Sequence, residues 1–397
     1  MFMKKVAIIG AGASGLICAI ECARNSCNVD LYEQNQKVGK KILVSGNGRC
    51  NITNTDFSKD DYFSQNSSFV ADALNEFNYQ KFEKFCASIG LILDAKDDGK
   101  VYPLSNEAKS VVAIFKESAL NMGVNIITDT KISDIKSITE SYDAVVVATG
   151  SEAASHLGGC SDGLEFAKVY GHSIIPTYPS LVQLELSNSP HNKMSGAKVE
   201  GEVTLMINNQ KSSSASGDIL FTAYGVSGFA ILDISREASE AILNYSAVDI
   251  ILNLLPKYSQ QKLSNHLNNL SKSIPQSSVL NAIHALLPVK IAKTILDVLN
   301  IDAQTKLQNL NMKDYKRIAN QCLNWKFEVA STHGFRHAEV AGGGVNTDEI
   351  NPKTMESKKQ KNLYFSGEVL DVVGRRGGFN FAWGWASGYA AAKDITK

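Results

Sequence analysis

The sequence lacks the features that mark several large classes of protein. Its 40 lysines and arginines are balanced by 40 aspartates and glutamates, so no chain-wide field of one sign is available to hold nucleic acid. Charged residues make up 20% and the apolar set 44%, which excludes a disordered chain. No uninterrupted apolar run of about 18 residues occurs, so no membrane-spanning helix is expected. The cysteines (Cys18, Cys22, Cys27, Cys50, Cys86, Cys160 and Cys322) are odd in number and include no C-x-x-C pair, which leaves neither a zinc motif nor a dithiol motif. Free thiols fit a reducing, cytoplasmic setting. Lys4 and Lys5 before an apolar stretch imitate a signal peptide, but Gly10, Gly12 and Gly15 interrupt that stretch at a spacing with its own meaning.

What is present starts at that interruption. Val6-Ala-Ile-Ile9 is a short β-branched run, the pattern of a buried parallel strand. Gly10-Ala-Gly12-Ala13-Ser14-Gly15 follows at once, then an apolar helical stretch from Leu16 to Ala23 and a second strand, Val29 to Tyr32, ending at Glu33. Strand, glycine turn, helix and acidic residue together form the dinucleotide fingerprint in its required context. Gly10 permits the tight turn, Gly12 lets a pyrophosphate approach the backbone, and Gly15 lets the helix pack on the strand. The helix N-terminus offers free N–H groups and partial positive charge to phosphates. Glu33 lies where a carboxylate accepts ribose hydroxyls and would repel a 2′-phosphate, so NADP is not expected there. The motif alone does not choose between NAD and FAD.

Distant segments bear on that choice. Asp143 to Gly150 reads as a buried strand ending in Thr149-Gly150. Asn362 to Glu368 reads as another, ending in Gly367-Glu368, followed by Gly377-Gly378-Phe379-Asn380 and an apolar helix from Phe381 to Ala392. These pieces resemble the glutathione-reductase-like class of FAD proteins, in which the last helix aims its N-terminus at the flavin pyrimidine edge, where a reduced flavin carries negative charge. The stretch Gly39 to Asn54 (GKKILVSGNGRCNITN) resembles more narrowly the signature loop of the YhiN/BaiN family of flavoproteins. So do Gly99 to Pro103, Asp162-Gly163-Leu164, Phe221-Thr222 with Ser227-Gly228, Ala338 to Val345, Thr354 to Lys358 and Gly367 to Val372. That family includes aminoacetone oxidases and reductases of unsaturated 3-oxo bile acids. The resemblance implies non-covalent FAD, held by Gly10, Gly12, Ala13, Ser14, Gly15, Glu33, Lys41, Arg49, Asn51, Ile132, Thr149, Gly150, Gly367, Glu368, Gly378, Phe379 and Asn380. The chain departs from the family pattern at Ser151, Phe229 and Arg375-Arg376.

The expected fold is α/β: a discontinuous, three-layer Rossmann-like FAD-binding domain with a parallel sheet (1–182 plus 333–397), an inserted antiparallel barrel or sandwich (183–256 plus 321–332) and a helical insertion (257–320). Alternating stretches such as Val199 to Ile207, an Asn208-Asn209 turn and a serine-rich loop at 212–216 mark the β domain. Apolar residues at helical spacing, among them Leu263, Leu267, Leu270, Ile291 and Ile295, mark three to five short helices. Between Lys257 and Arg317, nine basic residues face only Asp297, Asp302 and Asp314. That excess is expected to act as an electrostatic collector rather than as a nucleic-acid clamp, because Tyr258 and Tyr315 are the only aromatics there.

Flavin chemistry needs few protein groups, so no catalytic triad is expected. Arg49 and Asn51 near the flavin and His333 in a later loop are the catalytic candidates. His333 and His337 stand four apart, but Gly334 argues against a metal-binding helix. Tyr102 is a candidate pocket wall, and Cys50 reads as a packed free thiol. A second G-x-G-x-x-G for a nicotinamide is missing. The first reading is an FAD-dependent oxidoreductase that uses NAD(P)H as a transient donor to reduce a small unsaturated or carbonyl compound through flavin N5. One alternative is an FAD oxidase of a small amine that produces hydrogen peroxide; another is a flavin-containing nucleic-acid-associated protein.

Overall fold

The computed structural model describes residues 3–187 and 190–397, in two compact units: Met1–Tyr178 with Glu339–Lys397, and Pro179–Ala338. Val182 N–H donates to Ser235 Oγ at 3.1 Å, and the His333 ring is stacked on Tyr224 with the tilted His337 ring 4.1 Å away, which keeps the two ends of the inserted segment, 179–182 and 333–338, with the second unit.

The first unit is built on a five-stranded sheet with the order Leu363–Phe365, Ala144–Val147, β1 (Lys5–Ile9), β2 (Asn28–Tyr32), Asn125–Ile127. All its pairings are parallel; Val6 sits opposite Val29 on one side and Ala144 on the other. Helix α1 (Ala13–Arg24) connects β1 to β2 as a crossover. Its Leu16, Ile17, Cys18, Ala19 and Ile20 are fully buried. A helix apolar on most of its faces needs cover on both sides, and the C-terminal helix Phe379–Ile395 supplies the second. The contact is close because it is made through small residues: a Cβ on Gly388 would collide with the Ser14 carbonyl, and one on Gly384 would lie 3.6 Å from Ala13 Cβ.

The second unit contains a closed barrel of six strands in the order Leu184–Leu186, Gly225–Ser227, Gln210–Phe221, Lys198–Ile207, Val248–Asn253, Trp325–Thr332. The barrel-or-sandwich expectation therefore resolves to a barrel, with Trp325–Thr332 as the strand that completes it. Asn208 and Asn209 both take positive φ (50° and 63°), the backbone of the two-residue hairpin turn. The serine-rich stretch is a correction. Ser213 to Ser216 are not a loop but lie inside the strand Gln210–Phe221, paired with Glu202 to Leu205. Small polar residues suit a strand with one face in water, and the turn signal belongs to the two asparagines alone. Four helices, Gln260–Ser273, Val279–His284, Val289–Leu299 and Met312–Leu323, occupy the insertion. Leu263, Leu267, Ile291 and Ile295 form part of the barrel unit's core. Among the described residues no helix is long and apolar enough to cross a membrane.

Candidate cofactor-binding site

The first cluster forms where β1, Ala144–Val147 and Leu363–Phe365 reach their C-terminal ends, the edge at which open parallel sheets bind ligands. Gly10 has φ +108°, and a Cβ on it would collide with the Ala148 carbonyl, so only glycine lets the two strand ends approach this closely. A Cβ on Gly15 would collide with the Gly10 carbonyl oxygen; glycine there seats α1 against β1. Gly12 differs from both, because no atom lies within 4 Å of its Cβ position. It caps α1 without a side-chain hydrogen bond, so the first amides of α1 open onto unfilled space. That combination is a cradle for an anionic oxygen.

Glu33 is 8% exposed at the end of β2. Its Oε2 accepts the Ala11 N–H at 3.0 Å, and its Oε1 accepts the Asn35 N–H and Nδ2 at 2.8 and 2.6 Å. The carboxylate therefore locks the glycine turn, and Oε2 retains a lone pair for a ribose hydroxyl. Asn35, in turn held by Lys40 Nζ at 2.7 Å, was not foreseen from the sequence; an amide two residues after the acid was its only signal. Ile132, 9% exposed, lies in the loop whose Thr130 N–H donates to the Glu33 carbonyl at 3.0 Å.

Thr149, Gly150, Gly367, Glu368 and Lys41 gather beside the cradle. Gly367, with φ +76°, faces Ser14, whose hydroxyl is 2.5 Å from that of Ser366. Lys41 Nζ donates to Glu368 Oε2 at 2.7 Å. Glu368 Oε1 and Thr149 Oγ1 are buried without a partner. Buried polar atoms are seldom left so, and two orphans beside an open glycine call for a polyhydroxylated, hydrogen-bonding ligand.

A second cluster surrounds the N-terminus of the C-terminal helix. Gly378 caps that helix with φ +96° and no side-chain bond. Asn51, with its amide oriented to suit its neighbours, donates to the Thr53 and Val101 carbonyls (2.9 and 3.1 Å) and accepts the Gly378 N–H (3.2 Å). Asn380 is bonded both ways to Gly374, at 2.8 and 2.9 Å. Both amides thus hold backbone, and the helix N-terminus, starting at Phe379, is what remains for a ligand. Arg49 is exposed, bonds its own loop at the Gly46 carbonyl (3.3 Å) and lies 5.4 Å over the Tyr102 ring. Arg375 is ion-paired with Asp61 and lies over Phe379, so this cation is already engaged. Cys50 is fully buried, and burial pushes its thiol up to about 12, which keeps it protonated.

His333 belongs to the second unit. There its Nδ1 lies 2.8 Å from Glu185 Oε1, and its ring is stacked on Tyr224.

A glycine cradle at a helix N-terminus, a ribose-ready carboxylate and a C-terminal helix returning to the same sheet define a dinucleotide-binding flavoprotein, an FAD-dependent oxidoreductase. Residues 4–394 match the HI0933-like protein Rossmann domain family, and the chain belongs to it. It is 30% identical, over 98% of both chains, to the 3-dehydro-bile acid delta(4,6)-reductase of Clostridium scindens. It is 31% identical to the ribosomal RNA dihydrouridine synthase of Haemophilus influenzae, over 98% of both chains. To the enzyme of that name in Escherichia coli it is 30% identical, over 98% of this chain and 97% of the other. Among solved structures, the 3-ketosteroid delta1-dehydrogenase of Sterolibacterium denitrificans aligns over 100% of both chains at 11% identity, with a TM-score of 0.49.

The residues present fit FAD. Gly10 to Gly15 and α1 would hold the pyrophosphate, Glu33 the adenosine ribose, and Thr149, Glu368 and Lys41 the ribityl chain. The Phe379 helix N-terminus would face the flavin. When bound, FAD supplies the two-electron hydride chemistry.

Proposed function

We propose that this protein reduces a carbon–carbon double bond conjugated to a carbonyl, with FAD carrying a hydride that originates from a nicotinamide. One observation carries this reading. Relatives matched at 30–31% identity over nearly the whole chain bear two different names whose bond change is the same. A delta(4,6)-reductase acting on a 3-dehydro bile acid saturates an alkene in line with a ketone. A dihydrouridine synthase saturates the uracil alkene next to its C4 carbonyl. In both, the carbonyl drains charge from the carbon that receives no hydride. The partial positive charge of an uncapped helix N-terminus would favour the reduced, anionic ring.

The lack of a second nucleotide fingerprint is consistent with a nicotinamide that docks transiently. The test is anaerobic reduction of the yellow holoprotein by NADH and by NADPH, then mixing with a 3-oxo-Δ4,6 bile acid or with a uridine-containing ribosomal RNA transcript. Return of the oxidised spectrum with either acceptor supports the reading. Return only with oxygen, or reduction only by an amine, overturns it.

The RNA form of the substrate, which departs from the expectation that the basic run acts only as an electrostatic collector, draws support from the second unit. Helices Gln260–Ser273 and Met312–Leu323 pack together, and Gln260 Nε2 donates to the Lys316 carbonyl at 3.2 Å. On and beside this pair Lys257, Lys262, Lys272, Lys306, Lys313, Lys316 and Arg317 are exposed, with Asp314 the acid among them. Exposed Asn265, His266 and Asn269 add donors suited to phosphate and ribose. A salt-sensitive affinity for the transcript would favour RNA over the bile acid as the natural substrate type.

A further inference from the structure

Adding a hydride to a conjugated alkene drives an electron pair onto the carbonyl oxygen, so the reaction proposed above is helped by a positive group placed at that oxygen. Two cations of the candidate cofactor site are already paired, Lys41 with Glu368 and Arg375 with Asp61. Arg49 is not. Its Nε donates to the Gly46 carbonyl at 3.3 Å, and among the described residues its two terminal nitrogens have no hydrogen-bond or ion-pair partner. The side chain is exposed, so the open end of its fork is accessible.

The loop that carries Arg49 is fixed from several sides. Gly46, Asn47, Gly48 and Cys50 take positive φ (57°, 56°, 81° and 59°), while Arg49 between them has φ −92°. Left-handed backbone is costly at a side chain such as cysteine, and strain of that kind gathers where a function holds the chain in shape. The Cys50 N–H closes the loop on the Ser45 carbonyl at 2.9 Å, and its side chain is fully buried. The Arg49 guanidinium lies over the Tyr102 ring, 5.4 Å from its centre. Tyr102 belongs to the strand Lys100–Pro103, which is bonded to the same loop: the Ile52 N–H donates to the Val101 carbonyl at 2.8 Å, and Thr53 pairs with Val101. A Cβ on Gly46 would lie 3.0 Å from the Asn51 nitrogen and 3.7 Å from Tyr102 Cε1. Asn51 in turn accepts the Gly378 N–H at 3.2 Å, and Asn54 Nδ2 donates to the Gly377 carbonyl at 3.0 Å. Arg49, its aromatic platform and the helix N-terminus that would face the flavin are therefore one connected piece of the first unit.

Given the alkene reduction proposed above, on which this rests, we infer that the Arg49 guanidinium binds the carbonyl oxygen of the substrate and holds the negative charge that forms there, with Tyr102 as its positioning residue. The hydride, with both electrons, passes from the reduced flavin to the carbon at the far end of the conjugated system. The C=C π pair moves toward the carbonyl, whose own π pair settles on oxygen as an enolate. Arg49 meets that oxygen with N–H donors and gives up no proton, because a guanidinium stays charged. Collapse of the enolate returns its pair to carbon, which takes a proton from solvent. The same charge arises on the 3-oxo oxygen of a bile acid and on O4 of a uracil, so one cation serves both forms of substrate. The Tyr102 ring sets where the guanidinium rests and leaves its hydrogen-bonding edge open.

The experiment has two arms, both on the full-length holoprotein. The first needs no turnover. A phenol is a stable mimic of the enolate, and 4-nitrophenol reports its own ionisation by its absorbance. Bound to the oxidised wild type it should ionise at lower pH than in free solution, and Arg49→Gln should remove that shift. No shift in the wild type, or the same shift in both, overturns the inference. In the second arm, flavin reduced anaerobically is reoxidised by a 3-oxo-Δ4,6 bile acid or a uridine-containing transcript, with rates taken per bound flavin. Arg49→Gln should slow reoxidation by roughly 10²–10³-fold. Added guanidinium ion should restore part of the rate in Arg49→Ala. Tyr102→Leu should lose about 2–5-fold, and Tyr102→Phe, which keeps the ring, should recover it; an equal loss in both overturns the positioning role. The methyl ester of the bile acid should be slowed by Arg49→Gln as much as the acid. A defect confined to the acid would make Arg49 a carboxylate anchor and overturn the inference. If wild type and Arg49→Gln reoxidise at the same rate, the inference fails while the reductase reading stands. If neither acceptor reoxidises the wild-type flavin, the reductase reading fails and takes the inference with it.

Discussion

Replacing each of two glycines three residues apart with alanine should separate folding from cofactor binding. At Gly12 the backbone (φ −83°, ψ −166°) suits alanine, and nothing lies within 4 Å of the added carbon. Gly12→Ala should leave the FAD-free protein as stable as wild type or up to about 1 kcal/mol more so, because alanine loses less chain entropy on folding. The added methyl would fill the open space beside the α1 amides that a pyrophosphate would need to reach them. Losing two charge-assisted hydrogen bonds at about 1.5–3 kcal/mol each weakens FAD by roughly 10²–10⁴-fold. At Gly15 the balance is reversed. The new carbon would collide with the Gly10 carbonyl and approach Ile8 Cγ2 at 3.4 Å. The gain of up to about 1 kcal/mol from helix propensity cannot offset a backbone collision, for which overpacking costs of about 1–3 kcal/mol are a lower guide. Thermal melts of the deflavinated proteins and fluorescence titration with FAD give both quantities. A Gly12→Ala protein that binds FAD with wild-type affinity would show that the pyrophosphate does not lie in this turn.

Glu33→Ala should weaken FAD and also cost the apoprotein about 1–3 kcal/mol, since the Ala11 N–H loses its acceptor; apo melting and FAD titration that both match wild type would refute this. Burial holds the His172 imidazole below its ordinary range, against the pull of Glu349 and with Lys359 adding to the depression. The unfolded chain therefore binds a proton that the folded one resists, so stability is intact above about pH 6.5 and falls as the pH drops below it. Denaturant melts should show that decline, reduced in His172→Gln; an equal decline in both would clear His172. Cys50 should resist iodoacetamide in the folded protein at neutral pH and react once it is unfolded, as followed by mass spectrometry. Changing Lys313, Lys316 and Arg317 to glutamate should lower affinity for a ribosomal RNA transcript mainly at low salt; equal binding by both forms would leave this run a solvated surface.

The dinucleotide turn was legible in the sequence because its parts are local. Gly10, Gly12, Gly15 and Glu33 each answer to a geometric demand of one strand–helix–strand unit. The barrel strands were legible for the same reason, since alternation and an Asn-Asn turn are short-range signals, and the serine run misled only where a solvent-facing strand looks like a loop. What could not be read depends on pairings across the chain. Asn51 meeting Gly378, Arg375 meeting Asp61, and Glu185 meeting His333 join segments that no periodicity links. The roles of Asn51 and Asn380 show the limit most clearly. A polar side chain in a signature loop reads as a ligand contact, yet the structure engages both amides with backbone around the C-terminal helix.

The measurement that tests the account most directly is the mass and structure of the product formed under anaerobic single turnover. The yellow protein is reduced with one equivalent of NADH or NADPH and mixed with a 3-oxo-Δ4,6 bile acid, or with a uridine-containing ribosomal RNA transcript. Saturation of one conjugated double bond per flavin, with the oxidised spectrum restored in step, is the predicted result. A flavin that stays reduced with both acceptors and is discharged only by oxygen would contradict it.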